Sequence, residues 1–194
     1  MPEKFYISDL HFGHKNILRF DNRPFFTLEE MRETLIENWN KAVKKNDEVY
    51  VLGDMFWHNE EAPAILERLK GKKFLVLGNH DRVNATMAKY FVWCDRRMEI
   101  IKDGNDKVVL CHFPIAHWPG QDHVPSTIHL YGHIHQARDA RPFELYTKMW
   151  EEQIGIPYMA ANVGCMMDYM DYTPRRLEEI KKAKGWSPEL EEKN

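Results

Sequence analysis

The stretch KFYISDLHFGH, residues 4–14, sets the pattern that the rest of the chain repeats. Its first half, Lys4 to Ser8, is a short run of apolar and aromatic residues that is typical of a buried strand. Its second half is a polar turn in which Asp9 and His11 stand two residues apart. Residues i and i+2 of an extended segment project to the same side, so we expect these two side chains to converge on one ion.

Strands and helices alternate outward from this stretch. Thr27 to Lys44 is predicted to be a helix, because Thr27 is a suitable N-cap with Glu30 three residues later. The remaining predicted helices are Glu60 to Lys70 and Thr173 to Lys184. The remaining predicted strands are Glu48 to Leu52, Lys73 to Leu77, Phe91 to Cys94, Met98 to Lys102, Lys107 to His112, Ile128 to Tyr131 and Tyr158 to Val163. This order predicts an α/β fold in which two mixed sheets pack together with helices outside.

Length and composition indicate a single folded domain. We expect residues 1–184 of the 194 to form it, followed by a frayed, charged tail at 185–194. The net charge of −3 comes without a Lys/Arg block, so nothing predicts a nucleic-acid or membrane surface. The three cysteines form no C-x-x-C pair, and the N-terminus lacks the pattern of a signal peptide, so we expect a reducing, cytoplasmic setting.

Side chains that can bind metals follow several predicted strands directly. The segments are Asp9-Leu10-His11, Gly53-Asp54, Gly78-Asn79-His80-Asp81, His112 and Gly132-His133-Ile134-His135. Strand ends and the loops beyond them are where α/β folds build sites, and the glycines permit close backbone approach. Nitrogen and oxygen ligands without sulfur suit manganese, iron, zinc, nickel or cobalt. Two divalent ions, two carboxylates and one hydroxide would leave a net charge of about +1, which favours an anionic substrate.

The ordered run of D-x-H, G-D, G-N-H-D, H and G-H-x-H resembles the calcineurin-like metallophosphoesterase superfamily. The run spans residues 9–135, and Asn162-Val163-Gly164 resembles the closing strand of that superfamily. More narrowly, the chain resembles small bacterial and phage metallophosphatases with an SDLHFGH-like start and an N-R-P-F stretch. The resemblance implies a four-layer α/β/β/α sandwich that hydrolyses a phosphomonoester or phosphodiester with a hydroxide bridging two divalent metals.

The resemblance also implies roles for individual residues. One metal would be bound by Asp9, His11 and His135, the other by Asn79, His112 and His133, and Asp54 would bridge the two. His80 would act as general acid, and Asp81 would orient it. His14 and Arg23 would contact the substrate phosphate. For His14 and Arg23 the alternative is surface hydrogen bonding, and for Asp81 it is capping of a helix near Arg82. We predict a small phosphorylated substrate and leave the metal, chosen among Mn, Fe, Zn and Ni, open.

Other interpretations remain for the site and its surroundings. A nuclease would require a basic groove, which the composition does not favour. A binding scaffold without catalysis should have lost a ligand or the acid, and a structural zinc domain should have thiolates. His117, Trp118 and His123 could line a pocket, but we predict that Trp118 packs instead. Arg138 and Arg141 are predicted to be solvated rather than to form a lid.

Overall fold

The computed structural model describes residues 2–123, 127–135 and 137–186, except for the side chain of Ala137. The strands within these ranges are β1 (Lys4–Ile7), β2 (Glu48–Leu52), β3 (Lys72–Val76), β4 (Phe91–Arg96), β5 (Met98–Asp103), β6 (Asp106–Cys111), β7 (Ile128–Tyr131) and β8 (Ala160–Asn162). The helices are α1 (Ile17–Phe20), α2 (Leu28–Ala42), α3 (Ala62–Arg68), α4 (Ala85–Ala88), α5 (Ala137–Ile154) and α6 (Leu177–Ala183).

The N-terminal half forms a sheet in the order β1-β2-β3-β4. The four strands pair in parallel, and an antiparallel bridge joins Tyr6 of β1 to Arg175. Parallel neighbours need crossover connections, and α2 and α3 supply two of them. The N-cap of α2 is confirmed, since the Thr27 hydroxyl accepts a hydrogen bond from the Glu30 N–H at 3.0 Å. The parallel arrangement places the ends of β1, β2 and β3 at one edge.

The second sheet has the order β5-β6-β7-β8 and is mixed, as predicted. β5 and β6 form an antiparallel hairpin across the predicted turn at Gly104, whereas β6, β7 and β8 are parallel. The C-terminal ends of β6 and β7 therefore lie side by side, and each carries predicted ligands.

The two sheets bury one apolar core between them. Val108 and Leu110 of β6 face this core together with residues of β1 to β3, while Val109 between them faces the opposite side. This alternation shows that the second sheet is covered on both faces. Its outer face packs against Trp118 and Tyr158, with partly buried aromatic residues of α5 beside them. The packing of Trp118 is thereby confirmed.

Helix α5 was not predicted from the sequence, and neither was the short helix α1. Helix α5 carries Pro142 in its interior, where a proline removes a backbone hydrogen-bond donor. Phe143, Tyr146 and Trp150 recur at helical spacing and pack toward Tyr158, with ring centroids 5.8–6.0 Å from it. Among the described residues, no helix is long and apolar enough to span a membrane.

The C-terminal helix begins later than predicted. Its first residue is Leu177 rather than Thr173, and Pro174 lies outside it, because Arg175 pairs with Tyr6 of β1 in an extended conformation. Residues 185 and 186 belong to the predicted tail, yet Trp186 donates its N–H to the Lys181 carbonyl and packs against the core. Fraying of the tail stays a prediction for 187–194, which lie outside the described residues.

Candidate metal centre

The ends of β1 and β7 bring three predicted ligands together, which we call the first cluster. His135 Nε2 lies 3.1 Å from Asp9 Oδ1 and 3.3 Å from His11 Nε2. His11 Nε2 is in turn 3.9 Å from Asp9 Oδ1. All three ligand atoms lie within 4.8 Å of one another, and Asp9 and His11 are buried. Such a convergence of two imidazole nitrogens and one carboxylate oxygen fits a divalent transition-metal ion.

A second cluster lies at the ends of β2, β6 and β7 and consists of Asp54, His112 and His133. His112 Nε2 is 3.4 Å from Asp54 Oδ2 and 3.0 Å from the side-chain oxygen of Asn79, the predicted amide ligand. Asp54 and His112 are buried, whereas His133 is exposed. The second cluster is therefore open to solvent on the His133 side.

Asp54 is a member of the second cluster that also lies close to the first. Its Oδ2 is 3.4 Å from His112 Nε2 and 3.8 Å from His11 Nε2. A backbone contact joins the clusters as well, because the His133 N–H donates to the Asp9 carboxylate at 3.0 Å. The seven side chains predicted as ligands thus meet at one edge of the two sheets.

The backbone at four of these ligands is left-handed. The φ angles are 56° at Asp9, 50° at His11, 51° at Asp54 and 69° at His133. A non-glycine residue in this region costs about 1–3 kcal/mol, and such residues concentrate at functional sites. Our argument for the convergence of Asp9 and His11 was therefore wrong in its geometry, because tight left-handed turns rather than an extended segment aim these side chains.

Two of the glycines in the motifs are needed for close packing against the ligands. A Cβ atom at Gly78 would collide with the carboxylate of Asp54, and one at Gly132 would collide with that of Asp9. No other residue type therefore fits at either position while the adjacent carboxylate keeps its place. The predicted close approach of backbone to ligand is confirmed at both sites.

Hydrogen bonds at the far side of two imidazole rings hold those ligands in place. Asp21 accepts from His135 Nδ1 at 2.9 Å, and the Leu52 carbonyl accepts from His112 Nδ1 at 2.8 Å. A proton held at Nδ1 leaves Nε2 with its lone pair directed into the cluster, as a metal requires. By contrast, Nδ1 of His11 is buried and has no hydrogen-bond partner among the described residues.

Asp21 is a site residue that our sequence reasoning missed. It follows α1 in an ordinary polar turn and has no ligand-like spacing. Its contact with His135 joins residues 114 positions apart, which no local pattern reveals. The one available signal was its place beside Asn22-Arg23-Pro24, within the stretch on which the narrower resemblance rests.

Arg23 does not occupy the position that we predicted for a substrate contact. Its side chain is fully buried and donates to the backbone carbonyls of Asp9 at 2.7 Å and Leu10 at 3.0 Å. It also donates to Asp21 at 2.9 Å. The guanidinium thus donates its hydrogen bonds to the turn that carries the first cluster and to Asp21. The prediction that Arg23 binds the substrate phosphate is wrong.

His80 and Asp81 have different environments. The His80 ring is 40 % exposed, and its Nε2 lies 3.9 Å from Asp54 Oδ2. The Asp81 carboxylate accepts from the backbone N–H groups of Gly78, Asp54 and Met55 at 2.8–3.0 Å. Among the described contacts, Asp81 therefore holds together the turns at Gly78 and Asp54 and does not contact the His80 ring. It does not cap a helix either, because α4 begins at Ala85 with Asn84 as its N-cap.

His14 lies beside the first cluster, where we predicted a substrate contact. Its ring centroid is 5.7 Å from that of His11 and 3.8 Å from that of Trp57. Burial lowers the pKa of His14, so the neutral form is favoured. Contact with substrate stays a prediction.

The three ligands of the first cluster differ in their electrostatics. Burial by itself would lower the pKa of His135, but its hydrogen bonds to Asp21 and Asp9 outweigh burial and raise the pKa to about 10. Burial lowers the pKa of His11 to about 3. Burial alone would raise the pKa of Asp9, yet the contacts with His135 bring it well below its ordinary value. A cation bound at the first cluster would therefore compete with a proton on His135.

The sequence model of the calcineurin-like phosphoesterase family matches residues 5–163 of the chain. This span includes both clusters, His80 and the strands that carry them. The chain belongs to the calcineurin-like phosphoesterase family. Membership accounts for two candidate metal-binding triads in one site, although it specifies neither the substrate nor the metals.

Similar proteins have been found in bacteria, archaea and phages. The crystal structure of AQ665, a protein of unknown function from Aquifex aeolicus, is 26% identical, covers 94% of this chain and 100% of its own, and has a TM-score of 0.71. An uncharacterized protein of Methanocaldococcus jannaschii, MJ1445, is 37% identical over 59% of this chain. The Gene 66 protein of Mycobacterium phage L5 is 35% identical over 42% of it. The chain spans 60% and 41% of the length of these two relatives, respectively.

Proposed function

We propose that this protein hydrolyses a small phosphomonoester or phosphodiester with a pair of divalent metal ions, with His80 as general acid. The observation that carries the proposal is the placement of Asp54 of the second cluster close to the first, where the ligand atoms of each cluster lie within 4.8 Å of one another. A carboxylate in that position could contribute to the binding of an ion in each cluster. One ion alone would not need so many converging donors.

Two divalent ions in these clusters would lower the pKa of a bound water, which supplies a nucleophile near neutral pH, and would balance the charge of the phosphoryl group. The residues of the two clusters would hold these ions. Asp9 and Asp54 provide negative charge, and the Asp21–His135 and Leu52–His112 hydrogen bonds fix two of the imidazole rings. The neutral histidines keep the centre positive enough to attract an anion.

His80 is the side chain best placed to give a proton to the leaving oxygen. Its ring is partly exposed, near Asp54 but outside both clusters, so it can reach a substrate without giving up a metal. Its backbone N–H donates to Asp54 Oδ1 at 2.9 Å, and this hydrogen bond fixes the backbone from which the His80 side chain extends. General acids of this kind contribute about 10²- to 10⁴-fold to the rate.

The experiment is a panel of mono- and diesters assayed on chelated protein to which Mn²⁺, Ni²⁺ or Zn²⁺ is restored. We expect turnover only after metal is restored, and a loss of about 10²- to 10⁴-fold in His80→Ala on alkyl esters. The loss should be smaller for an ester of p-nitrophenol, whose leaving group needs no proton. His58→Ala is the matched control, since His58 is an exposed histidine outside the clusters.

No turnover of any ester with any of the three metals would contradict the proposal and favour a binding scaffold. Cleavage of single- or double-stranded nucleic acid in preference to the small esters would assign the site to a nuclease instead. An unchanged rate in His80→Ala on alkyl esters would remove His80 from its proposed role.

A further inference from the structure

Two exposed aromatic rings stand beside the clusters, and the proposed mechanism uses neither. Among the described residues the exposed aromatic side chains are Phe20, Phe26, Trp57 and Phe113. Trp57 is 37 % exposed and Phe113 is 38 % exposed, and these two contact the rings of predicted ligands. Exposure of an apolar ring to water at the mouth of a polar site is unfavourable. Packing of the apolar part of a ligand on the ring would remove that exposure.

Trp57 stands on the side of the first cluster and of His80. Its ring centroid is 4.6 Å from that of His80, 3.8 Å from that of His14 and 6.4 Å from that of His11. The backbone holds it there, because the Trp57 N–H donates to the Phe12 carbonyl at 2.9 Å. Trp57 is also three residues beyond Asp54, so the turn that presents the central carboxylate presents this ring as well.

Phe113 stands on the side of the second cluster. It follows His112 directly, and its ring centroid is 5.0 Å from that of His112 and 4.6 Å from that of His133. Both contacts are edge-on, which is a favoured geometry between rings. Each cluster thus has one exposed ring beside it, Trp57 at the first and Phe113 at the second.

The surroundings of these rings also indicate which part of a substrate they would meet. The Arg23 guanidinium is fully buried and bound to Asp21 and to backbone carbonyls, so it cannot reach a phosphate. The charge of the phosphoryl group is then left to the metal clusters and to the predicted contact with His14. The exposed rings of Trp57 and Phe113 are available to the organic part of the ester.

We propose that Trp57 and Phe113 form an aromatic subsite that binds a flat aromatic group joined to the phosphoester. The inference rests on the proposed function and narrows its substrate class to small esters that carry an aromatic ring. Contacts between aromatic rings add a preference of about 2- to 10-fold beyond the burial of equal apolar area. We expect the protein to favour such a substrate over an aliphatic one of the same size by that factor.

The test uses two phosphonates that cannot be hydrolysed and that share one carbon skeleton, with a flat ring in the first and a saturated ring in the second. These are 2-phenylethylphosphonate and 2-cyclohexylethylphosphonate, titrated calorimetrically into Mn²⁺-loaded protein. The corresponding phosphate esters are assayed in parallel, because their leaving groups have similar basicity. The measured quantity is the ratio of the two affinities, or of the two kcat/KM values, within one variant. Any general change in metal loading or in His80 cancels from this ratio.

Trp57→Leu and Phe113→Leu keep apolar bulk but remove the flat ring, so the ratio should fall toward one in both. Trp57→Phe should keep most of the preference, which also guards against a Trp57→Leu protein that does not fold. Phe26→Leu is the matched control, since Phe26 is 95 % exposed and has no described contact with either cluster. It should keep the full ratio.

A ratio near one in the wild-type protein, or a full ratio in both Trp57→Leu and Phe113→Leu, would overturn the aromatic subsite. This failure is separable from failure of the proposed function. If the phenyl phosphonate binds better and the variants lose that preference while no ester is hydrolysed, the subsite stands and the hydrolase proposal falls. If both esters are hydrolysed equally well, the hydrolase proposal stands and the aromatic subsite falls.

Discussion

The two clusters offer similar atoms but differ in how the protein holds them. In the first cluster, His135 is fixed by the Asp21 carboxylate, which is itself bound by the buried Arg23. In the second cluster, His112 is fixed by a backbone carbonyl, and His133 is exposed to solvent. A carboxylate behind an imidazole raises the basicity of that ligand, whereas a neutral carbonyl does so less. We therefore expect the first cluster to hold its ion more tightly and the second to exchange more readily.

Removing one histidine from each cluster should give the largest effect. His135→Ala should cost the first cluster at least about 100-fold in metal affinity, because even partners behind a ligand cost 10- to 100-fold when they are removed. His133→Ala should weaken only the second, more exchangeable ion. Elemental analysis after dialysis against a weak chelator measures this, and equal losses in the two variants would abolish the distinction between the clusters.

Asp21→Asn sharpens the comparison by removing the charge behind His135, which also pairs with the buried Arg23. The amide oxygen can still accept from His135 Nδ1, so the ring should stay oriented while its basicity falls. We expect a loss of about 10- to 100-fold in affinity at the first cluster and little change at the second. Calorimetric titration resolves the two binding events, and Asp139→Asn, at an exposed position on α5, is the control. Unchanged affinity at the first cluster would show that Asp21 does not support it.

The first cluster should also depend more strongly on pH. The pKa of His135 is raised to about 10, so without metal the ring is protonated throughout the neutral range, and metal must displace that proton. Affinity at the first cluster should therefore rise with pH, about tenfold per unit between pH 6 and 9 for one displaced proton. Titrations in buffers with different ionisation enthalpies count the released protons. Zero release at the first cluster would contradict this assignment.

The smallest effect is expected from the arginines at the start of α5. Arg138 and Arg141 are both exposed, in line with our preference for solvation over a lid. The double variant Arg138→Gln, Arg141→Gln should change kcat/KM less than about twofold, because exposed charges interact weakly through water. A large rise in KM alone would mean that these side chains do form a lid over the solvent-exposed side of the second cluster.

The sequence was most informative where chemistry and local structure coincide in one short segment. β2 and β7 were predicted with the bounds that the structure shows, because each is a short β-branched or apolar run that ends before a ligand turn. The ligands followed from their residue types and from the strands that precede them. Their separation into two clusters, with Asp54 between, came from the family resemblance.

The sequence was least informative where a distant contact decides the outcome. Asp21 is defined as a site residue only by His135, and Arg23 is turned inward only because Asp21 and two backbone carbonyls are there to receive it. In α5, Pro142 argues locally against a helix, and packing of aromatic residues against Tyr158 outweighs it. Each of these depends on residues that meet only after folding.

The most direct test of the central claim is the number of divalent ions bound per chain in the wild-type protein and in Asp54→Asn. We expect two Mn²⁺ ions per chain in the wild type, one bound more tightly than the other, and weakened binding of both in the variant, because Asp54 Oδ2 lies near ligand nitrogens of both clusters. Calorimetry combined with elemental analysis gives this count. A single ion in the wild type, or two full equivalents with unchanged affinity in Asp54→Asn, would contradict a paired metal centre built around Asp54.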